Sequence, residues 1–322
     1  MPISISWPLR GALLVSVAAL TMSLSAAAAG ASKPVDLRVV APTGAGLTDQ
    51  IQYSGTTRIK TDRKADCFGE GTEGSGKRVK VGGATPLGAV AHATAVERRL
   101  RPLLVTDAFD FSLGVCGIGG FEFEVTDTSF WYFKVNHSNP QVGADQVRLA
   151  AGDEVLWYLT PTFESLPVEL ELEAPVSAKP GQEFNVRVFQ YADDGTRSPA
   201  EGVSVTGAAE PTAANGMTSV SLGATNEINA TRSADGAIPD DATVCVSEQN
   251  DGCAKEAGTL IGGSSKPDRM VGTDGPDRIV SRGGRDSIDA RDRVRDTVNC
   301  GGGTDTVEVD PEDALKGCER VH

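Results

Sequence analysis

The chain has 322 residues, 44 acidic against 30 basic side chains, and a formal net charge of −14. A surplus of carboxylates repels phosphate, which argues against nucleic acid and anionic membrane surfaces as partners. Only three histidines are present, which argues against a histidine-built zinc site.

The elements begin with an address. Arg10 leads into the apolar run GALLVSVAALTMSLSAAAAG, and Ala27-Ala28-Ala29 or Ala29-Gly30-Ala31 offers a small-x-small cleavage site. This is the pattern of a secretory signal peptide over residues 1–31. The run also approaches the length of a membrane anchor, but its alanine-rich end favours cleavage. No second apolar run approaches that length, so the mature protein is expected outside the cytoplasm, secreted or surface-associated, with no membrane insertion. About 290 residues remain, room for two or three domains. Six cysteines in an exported chain point to disulfides. Fifteen pairings are formally possible, and the spacing suggests three local ones: Cys67–Cys116, Cys245–Cys253 across a turn-like EQNDG, and Cys300–Cys318.

Residues 32–165 read as one unit. VDLRVV, QIQYSG and KRVKV at 77–81 are expected strands. Thr85 then Pro86 make an N-cap and first helical position, and Leu87, Val90, Ala91, Ala95 and Val96 keep helical spacing toward Arg99. FEFEV, WYFKV, QVRL and EVLWYL follow as strands, the last two joined by the turn Ala151-Gly152-Asp153. GATPLGAVAHAT, GVCGIGG and WYFKVNHSNPQVGADQVRLAAGDEVLWYL together resemble the transcobalamin C-terminal-like domain of exported bacterial proteins. The resemblance implies a β-grasp-like α+β fold and binding of a small molecule or glycan rather than catalysis. Within it, Trp131, Tyr132 and Trp157 are the aromatics able to stack on a planar ligand, and the alternative is that alternate members of WYF and WYL fill the core. Tyr132 and Tyr158, on the opposite face, are then the exposed members. His137 reads as a surface loop residue.

Residues 166–257 read as a second β unit. PVELELEAP, KPGQEFNVRVFQY, VSVTG, TSVSLG, EINATRS and TVCVS are short strands at sandwich spacing, with turns at Pro180-Gly181 and Asp193-Asp194-Gly195. The pattern resembles bacterial immunoglobulin-like domains, which implies a spacer. AKEAGTLIGGSSK at 254–266 is small and polar enough for a flexible linker.

Residues 258–322 carry a repeat. Asp268 with Met270, Asp277 with Ile279, Asp286 with Ile288, Asp296 with Val298 and Asp305 with Val307 recur every nine residues, once ten. Glycine-rich turns precede the best copies. The register resembles the calcium-binding repeats of the RTX (haemolysin-type) family, implying a parallel β-roll with calcium among its carboxylates. Copies one, three and five are expected on one edge, two and four on the other. Metal is expected at Asp286 and Asp305 first, with Asp268 on their edge and Asp277 as a weaker site. Arg291, Arg293 and Arg295 beside Asp296 are expected to repel an ion from the even edge. The alternative is a tail held by Arg–Asp pairs that binds nothing.

The fold class expected is therefore mainly β and multidomain: a β-grasp-like α+β domain, an Ig-like β-sandwich and a short parallel β-roll tail. No H-E-x-x-H, G-x-S-x-G or Walker loop is present, so no enzyme is expected. A secreted, non-catalytic binding or surface-associated protein with calcium as its cofactor is the first reading. A structural envelope or matrix protein and an unrecognised extracellular hydrolase are the others.

Overall fold

A computed structural model describes residues 35–41, 46–53, 56–123, 129–160, 166–248, 253 and 258–322. The expected signal peptide lies outside the described residues. The first part runs β1 (Val35–Val40), β2 (Gly46–Tyr53), β3 (Thr56–Lys60), β4 (Arg78–Gly82), α1 (Pro86–Val96), β5 (Leu103–Thr106), β6 (Gly114–Ile118), β7 (Phe121–Glu122), β8 (Phe130–Val135) and β9 (Glu154–Thr160). β1 lies between β2, antiparallel, and β9, parallel, and β8 closes antiparallel onto β9. Side chains alternate across a strand, so Leu37, Val39 and Trp157 join Leu87, Val90 and Val96 of α1 in one core. Small residues let α1 sit deep: a Cβ on Gly88 would overlap the carbonyl oxygens of Gly82 and Gly83.

Thr85 caps α1, its hydroxyl accepting the Gly88 N–H at 3.0 Å. The helix stops at Val96 rather than running on to Arg99, because Glu97 turns extended and its carboxylate accepts the Arg99 N–H at 2.8 Å, starting a 3-10 turn at Arg98–Leu100. QVRL is not a strand. Gln146 closes a turn onto Gly143, and Val147 and Leu149 pack on the core from a loop.

The middle part comprises β10 (Glu169–Glu173), β11 (Ser177–Ala178), β12 (Glu183–Tyr191), β13 (Arg197–Pro199), β14 (Ser204–Val205), β15 (Met217–Ser221), β16 (Asn226–Thr231) and β17 (Asp240–Val246). These form two four-stranded sheets around a core that includes Leu170, Val186, Val188, Val220, Ile228 and Val244.

The last part winds between two parallel sheets. One holds β18 (Thr259–Gly262), β20 (Arg278–Val280), β23 (Thr297–Asn299) and β26 (Ala314–Lys316). The other holds β19 (Arg269–Val271), β22 (Ser287–Asp289), β25 (Thr306–Glu308) and β27 (Arg320–Val321). The glycine turns pair as β21 (Gly283–Gly284) and β24 (Gly302–Gly303). Copies one, three and five thus share one edge and two and four the other, and Met270, Ile279, Ile288, Val298 and Val307 fill the interior. The acid-x-aliphatic pattern runs further than the five copies read from sequence: Asp313 with Leu315 and Glu319 with Val321 add a rung to each edge at shortened spacing.

The expected linker at 254–266 contains β18, a fully buried strand. β18 pairs parallel with β2, so the sheet of the first part and one sheet of the coil are a single eight-stranded sheet. Leu260 belongs to the helix core and Ile261 to the coil core, so apolar residues at successive positions serve two interiors at once. Arg278 fastens the same seam, donating to the Val96 carbonyl at 2.9 Å and pairing with Glu97 at 3.3 Å.

All three cysteine pairs form as the spacing suggests: Cys67–Cys116, Cys245–Cys253 and Cys300–Cys318. The last closes a loop of 18 residues, for which chain entropy gives about 3 kcal/mol. Reduction is accordingly expected to lower the melting midpoint of residues 32–322 by several degrees, read by calorimetry with and without a phosphine reductant.

Candidate functional site

In the coil the repeat aspartates act alike. Apart from Asp268, which takes the Ser264 N–H through Oδ2, each accepts, through Oδ1, the backbone N–H one rung earlier on its own edge: Asp286 from Asp268 at 2.9 Å, Asp305 from Asp286 at 2.8 Å, and Asp296 from Asp277 at 2.8 Å. Asp277 takes the Thr259 N–H at 2.7 Å, Asp313 that of Asp296 at 2.9 Å, and Glu319 that of Asp305 at 3.0 Å. These charge-assisted bonds join rungs where the strand ladder stops. Gly284 and Gly303, at φ 148° and 142°, bring the turns together so closely that a Cβ would collide with the Lys266 and Gly284 carbonyls respectively.

The second oxygens of Asp277 and Asp313 accept the Thr273 and Asp310 N–H groups, but others are left over. Oδ2 of Asp286 and Asp305 on one edge, and of Asp292 and Asp296 on the other, is buried with no hydrogen-bond partner among the described residues. Burial without a partner is costly for a carboxylate, and the proton affinities show it. Burial pushes Asp286 up, with the charges of Asp305 and Asp268 adding to it. Asp277 rises for the same reason, with Asp292 contributing. Asp296 is pushed up to about 7, first by burial and then by Asp277, Asp292 and Asp313.

The even edge therefore differs from its sequence reading. Arg291, Arg293 and Arg295 are exposed, and Arg291 is held by Asp289 at 2.7 Å and by Glu308. They do not neutralise Asp296, because the strand alternation that turns Asp296 inward turns Arg295 and Thr297 outward. Asp296, left out of the expected metal set, sits in the same position as Asp277, Asp286 and Asp305. Its place in the repeat, ten residues after Asp286 and nine before Asp305, was present in the sequence and was outweighed by the flanking cations.

The aromatic trio of the first part requires a correction. Trp131 and Trp157 are buried in the helix core, 7% and 1% exposed, and their indole N–H groups donate to Phe121 and Pro86 carbonyls. They offer no face to a ligand. Tyr132 is half-buried on the opposite face and donates to Asp193 at 3.2 Å. Tyr158 is only 2% exposed. The physical reason is that the sandwich covers the outer face of this sheet, with Val40, Leu156, Tyr158 and Ile238 forming a small cluster across the junction.

Beside that cluster lies a buried ionic network. Arg38 of β1 donates to Glu169 at 2.5 Å, to Asp240 at 2.5 Å and to the Leu170 carbonyl at 3.0 Å. Lys134 of β8 is fully buried, its Nζ 3.8 Å from Glu169 and 3.7 Å from Asp193. His137, far from being a free loop residue, stacks on Tyr191 with ring centroids 3.5 Å apart and bonds Glu169 at 3.1 Å. Burial opposes protonation of His137, but the Glu169 hydrogen bond and the charges of Glu154, Glu169 and Glu171 outweigh it and raise its affinity for a proton. Burial likewise opposes ionisation of Glu169, and His137, Arg38 and Lys134 overcome it. His137, Glu154 and Glu169 have ligand atoms within 4.8 Å of one another. They do not suit a divalent cation, because Arg38 and Lys134 already place positive charge against the same carboxylates. The sequence signal was a lone cation inside each of two apolar strands, VDLRVV and WYFKV.

At the seam with the coil, His92 of α1 is 3% exposed. Burial and then the charge of Arg282 lower its pKa to about 4, against a Gly262 backbone hydrogen bond and Asp268. The folded state then binds fewer protons than the unfolded one between about pH 6.5 and 4, so stability is lost as pH falls through that window. The full effect is on the order of 3 kcal/mol. His92→Gln is expected to flatten this acid slope in urea midpoints measured from pH 7 to 4.5; an unchanged slope would refute the assignment.

No helix among the described residues is long and apolar enough to cross a membrane. No curated protein and no solved structure matches the chain. Residues 113–161, which carry β6 to β9, match the family model described as a domain of unknown function, DUF4430, a domain found in transcobalamin-like proteins.

Proposed function

We propose that this chain is an exported, non-catalytic binding or surface-associated protein whose C-terminal coil takes up calcium. The observation that carries the reading is the set of buried carboxylate oxygens without partners, those of Asp286 and Asp305 on one edge and Asp292 and Asp296 on the other. Hard oxygen donors of this kind suit calcium, which also accepts backbone carbonyls such as glycine turns present. Asp286 and Asp305 would hold an ion on one edge, with Asp268 beside them. Asp277, Asp296 and Asp292 would hold one on the other. Bound calcium supplies no reaction here; it neutralises packed carboxylates and locks rung to rung. Alternation of successive copies between two parallel sheets supports kinship with haemolysin-type repeats, and the two packed sheets of residues 166–257 support an immunoglobulin-like spacer. The disulfides support a location outside the cytoplasm.

Calorimetric titration of the mature chain with calcium chloride at fixed ionic strength tests the reading. Saturable heat at or below millimolar calcium is expected, reduced in Asp286→Ala/Asp305→Ala and absent when Asp277→Ala and Asp296→Ala are added. No heat at millimolar calcium would leave the coil a purely structural element.

A further inference from the structure

Three buried polar atoms converge where the first sheet meets the middle part. Lys134 Nζ of β8 lies 3.8 Å from Glu169 Oε2 of β10 and 3.7 Å from Asp193 Oδ1, in the turn between β12 and β13. None of the three has a hydrogen-bond partner among the described residues. Opposite charge draws them together, yet both gaps exceed hydrogen-bond length. The other carboxylate oxygens are committed elsewhere. Glu169 Oε1 accepts from Arg38 at 2.5 Å and bonds His137 at 3.1 Å. Asp193 Oδ2 accepts from the Tyr132 hydroxyl at 3.2 Å. The side chains of Lys134 and Glu169 are 0% exposed, whereas that of Asp193 is 35% exposed. An amine, a carboxylate able to take its proton and a second carboxyl polarised by a phenol thus meet in a site that is dry at one end and open at the other.

We propose that Lys134 and Asp193 condense to an intramolecular amide that ties the first sheet to the middle part, with Glu169 relaying protons. Glu169 Oε2 takes a proton from the Lys134 ammonium, and the freed lone pair attacks Cγ of Asp193 to form the N–C bond. Negative charge developing on Oδ2 is met by the Tyr132 hydroxyl. Glu169 passes its proton to Oδ1, then takes a second from the nitrogen and passes that on too. The Cγ–Oδ1 bond breaks, one water leaves, and Glu169 is ionised again. No oxidant or co-reactant is consumed. Burial opposes the charge on Glu169, but the His137 hydrogen bond and the charges of Arg38 and His137 keep it ionised. An anion held in this way serves as the base and resists attack itself, which leaves Asp193 as the acyl partner. Groups fixed side by side reach effective concentrations of about 10⁵ M or more, and exclusion of water suppresses the reverse hydrolysis. The ion pairs of Lys134 belong to the chain before closure. The step goes beyond calcium uptake by the coil and is independent of it.

The test is the intact mass of residues 32–322, folded, aged at neutral pH and then fully reduced. A mass one water below that of the sequence is expected, with a branched tryptic peptide joining Lys134 to Asp193. Asp193→Ala, a change in a half-buried turn, is expected to fold and to keep its full mass. Glu169→Gln keeps the shape of the side chain and loses the base, so closure should slow by about a hundredfold, the low end of general acid–base catalysis. Should that variant not fold by circular dichroism, Tyr132→Phe tests the same machinery, since it keeps the ring and removes the donor to Asp193; slower closure is again expected. Full mass in the folded wild-type chain overturns the amide. So does a water loss without the branched peptide, as a succinimide at Asp194-Gly195 would give. A branch mapped to Glu169, or closure at the wild-type rate in the folded machinery variant, overturns the roles assigned. Each of these failures leaves the calcium titration, and the reading built on it, untouched.

Discussion

Glu169→Ala is expected to cost about 3–5 kcal/mol, the usual penalty for removing one partner of a buried ion pair. Glu169 is 0% exposed and meets Arg38, Lys134 and His137. Without it, Arg38 keeps Asp240, but Lys134 retains only Asp193 at 3.7 Å. The measure is the urea midpoint of the mature chain. A second variant separates lost attraction from stranded charge: Lys134→Met with Glu169→Leu removes the buried pair and leaves Arg38 with Asp240. If stranded charge is the main cost, the double variant regains much of what Glu169→Ala loses. A loss below about 1 kcal/mol in the single variant would mean that water reaches the network and screens it.

Asp296→Asn is expected to raise the melting midpoint in calcium-free buffer at pH 8 and to lower the gain that calcium brings. Asparagine keeps an oxygen for the Asp277 N–H while discarding a charge that Asp277, Asp292 and Asp313 oppose. The sign follows from proton linkage. The Asp296 carboxyl is pushed up to about 7 in the folded chain, far above an unfolded aspartate, so the folded state holds the extra proton between about pH 4 and 7. Wild type therefore gains stability from this group as pH falls through 7, and the advantage of Asp296→Asn shrinks over the same interval. A rise of roughly 3 °C or more at pH 8 is the expected size. With saturating calcium the order reverses, wild type melting higher. Scanning calorimetry at pH 8 and pH 5, with chelator and with calcium, gives all four values. An asparagine variant that melts below wild type in chelator at pH 8 would show that the even edge is not strained by its own charge.

Periodic features of the chain were legible, because period and burial are the same fact in a coil. Met270, Ile279, Ile288, Val298 and Val307 recur at the spacing that returns a strand to the interior, and all five are buried. Thr85 and Pro86 marked the helix start through local hydrogen bonding alone, and cysteine spacing marked the three bridges. What escaped depended on distant surfaces. Whether Tyr158 is wet or dry is decided by Ile238, eighty residues on, and no pattern within EVLWYL contains that information. Thr259 to Gly262 looked like part of a linker because its glycines and serines follow immediately; its partner, β2, lies some two hundred residues earlier. The arginines beside Asp296 were misplaced for a related reason: a charge neighbouring in sequence is turned to the opposite side of a strand.

The pairing of β18 with β2 bears on how the coil comes into being. A solenoid contacts only its neighbours, so its first rung is the one with no template. Here β2 presents a ready edge at Gln50 to Tyr53, in parallel register with Thr259 to Gly262. Assembly can then proceed outward in one direction, from β18 through β20 and β23 to β26, and end where Cys300 meets Cys318. A fragment beginning at residue 258 would start with a bare strand edge and an uncovered Leu260, and should nucleate slowly or associate through that edge. For a chain delivered N-terminus first, the sequence order places the template ahead of the part that grows from it.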